Sequence, residues 1–120
     1  MIEHIEESYV APETAKLLKE KGFDYRCRKY YINDSMFEHT HGEIIPKNYD
    51  IYECPTQQMA MSWLRKIHNI HIVVKNFGYL GYVFTIQKLT SGSEQTSTEF
   101  YSTYEKAVEE AIQHCLKCLI

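Results

Sequence analysis

Two short runs in the middle of the chain restrict its fold more than any other feature. Ile70, Ile72 and Val74 alternate with His71, Val73 and Lys75, and Tyr82, Phe84 and Ile86 alternate with Val83, Thr85 and Gln87. A period of two places each set on one face of an extended strand. The stretch between them, Asn76-Phe77-Gly78-Tyr79-Leu80-Gly81, carries two glycines and must turn. The result is an antiparallel hairpin with one apolar face, and such a face is stable only when another element covers it. A polar loop over Thr90 to Gln95 then leads to Thr96–Tyr101, read as a third strand. The opposite face, with His71, Lys75, Thr85, Gln87 and Glu99, is polar enough to meet water.

Helices on either side can supply the cover. Pro55 opens one that runs to about His68, with Ala60, Trp63, Leu64 and Ile67 at helical spacing and Asn69 as its end. At the C-terminus Ser102 and Glu105 stand at capping-box spacing. Behind them Tyr104, Val108, Ala111, Ile112, Cys115 and Leu119 fall on one face, while Glu109, Glu110, Gln113 and Lys117 take the other. On this phase Ile112→Ala should cost about 2–5 kcal/mol and Glu109→Ala well under about 1 kcal/mol. The expected architecture over residues 55–120 is α+β. It is a three-stranded antiparallel sheet with helices on one face, in the order α-β-β-β-α.

Residues 1–54 read less clearly. Pro12 to Lys21 is a short helix, with Pro12 at its first turn, Gly22 as its stop, and Ala15, Leu18 and Phe23 as one stripe. Arg28 to Ile32 looks like a strand that turns at Asn33-Asp34 into Met36-Phe37-Glu38. Glu43 to Ile45 is expected to pair again, and Tyr49, Ile51 and Glu53 to form one more extended segment. This region is read as irregular β, and Arg26-Cys27-Arg28-Lys29 as a solvated strand edge. At 120 residues, 44% hydrophobic and 24% charged, the whole chain is expected to be one domain with one core. Its ten tyrosines suit half-buried sheet faces and contact surfaces.

The acidic start, MIEHIEESYV, lacks the basic and apolar runs of a signal peptide, and no segment is apolar over the length of a bilayer span. The expectation is a cytoplasmic protein without a membrane partner, its four cysteines reduced. A net charge of −3 and the lack of any Lys/Arg cluster beyond two argue against nucleic acid as the principal partner.

Few residues suggest chemistry. Cys115 and Cys118 have the spacing of one zinc pair with His114 beside them, but structural zinc takes four ligands and Cys27 and Cys54 form no second pair. The cysteines are therefore read as core residues, and no metal is expected. His39 and His41, or His68 and His71, could join a site, but no carboxylate stands at a matching spacing. Cys54 precedes a helix start, where a dipole could lower a thiol pKa, yet sequence places no base beside it. Phosphate loops, dinucleotide fingerprints, nucleophile elbows and zincin helices are lacking. No catalytic residue and no cofactor is expected. The residues singled out are Phe77, Tyr79 and Leu80, apolar side chains at the hairpin tip, where exposed aromatics anchor partners.

Three stretches, PETAKLLKEKGFDYRC, CPTQQMAMSWLRKIHNIHI and STYEKAVEEAI, resemble short uncharacterised proteins of gut Bacteroides genomes and of their phages and prophages. The resemblance spans most of the chain and implies a mobile-element origin, but it transfers no functional residue. The α-β-β-β-α order is also similar to the double-stranded-RNA-binding domain. That family places basic residues at the start of its last helix, where this chain has Tyr104, Glu105, Lys106, Glu109 and Glu110. A fainter likeness is to HicB-type antitoxins. The favoured expectation is a non-enzymatic accessory protein that binds another protein, or a second copy of itself. A nucleic-acid-binding module of double-stranded-RNA-binding-like or HicB-like fold comes second. A small Cys/His enzyme or metal protein comes third.

Overall fold

The computed structural model describes residues 7–45 and 47–120. They form three helices and two three-stranded antiparallel sheets. In the C-terminal half β4 (Ile70–Asn76) pairs with β5 (Tyr82–Lys88), with Ile72 opposite Ile86 and Val74 opposite Phe84. The alternation holds for Ile70, Ile72, Phe84 and Ile86, which are buried and packed with Val108, Ala111, Ile112 and Cys115, but not at the start of β5, where Val83 is buried and Tyr82 only half-buried.

The third strand lies elsewhere than expected. It is β6, Glu94–Thr96, rather than Thr96–Tyr101, and it pairs antiparallel with Thr85 to Gln87. Gly92 has φ 73° and donates its N–H to the Lys88 carbonyl, and the Lys88 N–H reaches the Ser93 carbonyl at 2.9 Å. That tight turn starts the pairing inside the stretch read as a loop. Ser97 then interrupts it: its backbone N–H reaches the Phe84 carbonyl while its hydroxyl accepts the Phe84 N–H at 3.1 Å. The chain bows out and rejoins β5 only where Tyr101 bridges Tyr82.

Both covering helices shift slightly. α2 is Gln57–His68; Thr56 is its cap, with a hydroxyl that accepts the Met59 N–H at 3.1 Å, and Asn69 closes it in the left-handed region. Ile67, expected in the apolar stripe, is exposed. α3 is Tyr104–His114, and its cap is Thr103 rather than Ser102. The buried face runs through Ala107, Val108, Ala111, Ile112, Cys115 and Leu116, so Tyr104 sits at the exposed margin. Glu109 and Gln113 are half-buried rather than solvated. The last turns, Cys115–Leu119, widen into a π-helix.

The segment read as irregular β is a second sheet, ordered β2-β1-β3, from β1 (Lys29–Ile32), β2 (Ser35–Glu38) and β3 (Ile51–Cys54). Asn33, with φ 55°, makes the tight turn between β1 and β2. Glu43 to Ile45 forms no strand: the Glu43 N–H turns back to the Thr40 carbonyl at 3.3 Å, and its side chain contacts His39 and Arg26. α1 (Pro12–Glu20) is followed by Lys21 as its cap and by Gly22 at φ 96°, and it packs against β3 and α3. The halves share one buried cluster, in which Val10, Leu18, Phe23 and Tyr31 lie with Trp63, Leu64, Ile112 and Leu116. Among the described residues no helix is long and apolar enough to cross a membrane.

Candidate functional site

The tip between β4 and β5 is a compact, hydrogen-bonded turn. Phe77 N–H reaches the Gly81 carbonyl at 2.8 Å, Asn76 Oδ1 accepts the Gly78 N–H at 2.9 Å, and Gly78–Leu80 closes one 3₁₀ turn. Gly81 has φ +108°, and a Cβ there would lie 2.5 Å from the Tyr101 carbonyl oxygen, so only glycine lets the return strand approach so closely.

This backbone leaves its apolar side chains outward. Relative exposure is 45% for Phe77, 98% for Tyr79 and 50% for Leu80. Phe77 meets Phe100 edge to face at 6.1 Å, and Lys75 Nζ sits 5.2 Å above the Phe77 ring. Phe100 is 49% exposed and extends the patch, a contribution that sequence reasoning missed. The signal was parity: Tyr101 faces inward, its ring stacked on Phe84 at 5.9 Å, so its neighbour faces the other way. Reading 96–101 as regular strand hid that the chain returns to the sheet at the tip.

The other candidates take different roles. Cys115 is buried and Cys118 exposed, so only the first is a core residue; His114 Nε2 lies 3.3 Å from Gln95 Oε1. Cys54 is buried, its thiol directed at the Val10 carbonyl at 3.4 Å, and burial pushes its pKa up to about 11. Burial likewise pushes Cys27 and Cys115 up to about 12. At three of the four cysteines burial thus favours the protonated thiol.

His68 packs edge-on against Trp63 at 4.7 Å, and its Nε2 and His71 Nδ1 are buried without a hydrogen-bond partner among the described residues. His41 is exposed. His39, by contrast, is the centre of a cluster that sequence did not reveal. Its Nδ1 contacts Glu43, and its Nε2 lies 2.9 Å from Glu53 Oε2. Among the described residues no group of three or more His, Cys, Asp or Glu side chains is placed to hold a metal ion. An aromatic cleft of about 270 Å³ lies between Phe23, Tyr25, Met59, Trp63, Lys66 and Ile67. No protein-family model, no curated protein and no solved structure matches the chain.

Proposed function

We propose that this chain is a non-enzymatic interaction module, an accessory protein of phage or mobile-element origin, that binds a protein partner through the tip of its β4–β5 hairpin. The observation that carries the reading is the near-complete exposure of Tyr79 between half-exposed Phe77 and Leu80 on a turn fixed by backbone hydrogen bonds. A turn whose backbone is already fixed needs little ordering on binding, and aromatic side chains have few rotatable bonds to immobilise, which is how such anchors come to dominate interfaces. Phe100 widens the anchor, and Lys75 places one positive charge at its edge.

The double substitution Phe77→Ser with Tyr79→Ser tests this. Partners are captured from cells carrying the element, purified, and titrated against both forms. A genuine partner should bind the wild type about thirty-fold more tightly, equivalent to about 2 kcal/mol. Equal affinity for a variant of unchanged stability would sink the proposal.

A nucleic-acid-binding module of double-stranded-RNA-binding-like topology is the second reading. It is favoured by the element order alone, since helix, three antiparallel strands and helix follow one another from Gln57 to His114. Glu105 in the first turn of α3 stands where that family gathers cations. Submicromolar binding to duplex RNA with a steep salt dependence would promote it over the first.

A further inference from the structure

The outer face of the N-terminal sheet carries an arrangement independent of the hairpin tip. Tyr31 points inward and donates its hydroxyl to the Val10 carbonyl at 2.7 Å. Its neighbour Tyr30 must then point outward, yet it is only 7% exposed. Two rings cover it: Phe37 stacks on it at 5.8 Å, and His39 lies over it at 4.4 Å.

The His39 side chain is itself almost fully buried, between Glu43 from the following turn and Glu53 from β3. Both ring nitrogens face carboxylate oxygens, which when ionised only accept hydrogen bonds, and the imidazolium is the form that offers a donor to each. Neutral imidazole would set a lone pair against one carboxylate. Two carboxylates face the ring, and one of them, Glu43, is shared with the Arg26 guanidinium. Arg26 holds Glu43 at 2.7 Å, the Cys27 N–H reaches Glu53 Oε1 at 2.7 Å, and the backbone N–H of His39 donates to the Arg28 carbonyl at 2.9 Å. Arg28 directs its guanidinium to Glu38 at 3.0 Å. The His39 contact, followed by Thr40 and Arg26, also holds the Glu43 carboxyl below the usual carboxylate range.

We propose that His39 is a proton-operated latch. As imidazolium it fastens the turn at residues 39–45 onto the sheet, and as neutral imidazole it releases that turn and uncovers Tyr30. Histidine suits the task because it is the side chain whose ordinary charge change falls closest to neutral pH.

Amide hydrogen exchange on the full chain, corrected for intrinsic rates and run from about pH 5 to about pH 9, tests the latch while ring signals report the protonation of His39. Protection at the amides of Cys27, His39 and Glu43 should fall about tenfold as the ring loses its proton, the scale of one charge-assisted hydrogen bond. Amides of β5 should be unaffected. In His39→Gln the dependence on ring protonation should disappear, and in Glu53→Gln, which keeps the Glu43 contact, it should shrink. Wild-type protection that follows the same course as in His39→Gln, or a ring that titrates with no change at these amides, would overturn the proposal. Should His39→Gln not fold, undiminished pH dependence in Glu53→Gln does so instead.

Discussion

Glu109 lies on the polar side of a helical wheel, yet its carboxylate ties two other helices, α1 and α2, to α3. Oε2 accepts the Ala11 N–H at 3.0 Å and the Thr14 hydroxyl, and Oε1 accepts Gln57 Nε2 at 3.0 Å. Ala11 caps α1 but has no side chain able to bond a free helical amide, so a carboxylate from α3 does so, at the positive end of the α1 dipole. Gln113 adds a bond to Thr14 at 2.9 Å. Removing Glu109 would leave the buried Thr14 hydroxyl proton and the Ala11 N–H without their acceptor, which argues for a larger cost than the wheel suggests. Glu109→Ala should destabilise by about 2 kcal/mol, while exposed Glu110→Ala should stay within about 0.5 kcal/mol, both read from denaturant melts. Equal shifts would mean the carboxylate is not a structural tie. The periodicity of α3 was legible because it is local to the helix. The partner of each polar position was not, because α1 arrives from the far end of the chain.

At the scale of elements, the sequence exposed what is written in neighbouring residues. The β4–β5 hairpin, its tip and all three helices follow from alternation, helical spacing and glycine punctuation. β6 was misplaced because Thr90 to Tyr101 is polar and β-compatible along most of its length. Its register is set by the Gly92 turn and the Ser97 break, not by any apolar pattern. The N-terminal sheet was obscured for another reason: Tyr30 and Tyr31 are both buried, one on each face, so the run shows no alternation. The tip allows a sharp comparison. Gly81→Ala forces a Cβ against the Tyr101 carbonyl at an unfavourable φ and should cost about 3 kcal/mol or more. Gly78→Ala, with φ +62° and open space around it, should cost only about 1 kcal/mol. Similar melting shifts for the two would show that the return strand does not need to lie so close.

Over the whole molecule, the N-terminal third is not an appendage to the hairpin. Ser8 and Val10 pair with the backbone at Gln57 and Pro55, and Leu18, Phe23 and Tyr31 join Trp63 and Ile112 in one core. Phe100 and the His39 cluster escaped sequence reasoning at this scale, since each depends on strands brought together across the chain. The tip escaped less, because its residues are consecutive. The tie at Glu109 also bears on time. It joins residues 98 positions apart, and a contact that closes so long a loop gains nothing until both ends are already placed. It should therefore form after the folding barrier is crossed and act as a brake on opening. In Glu109→Gln the unfolding rate should rise several-fold while the refolding rate barely changes, as measured by stopped-flow mixing into and out of denaturant. The opposite pattern, slower folding with unchanged unfolding, would place the docking of α1 within the folding nucleus.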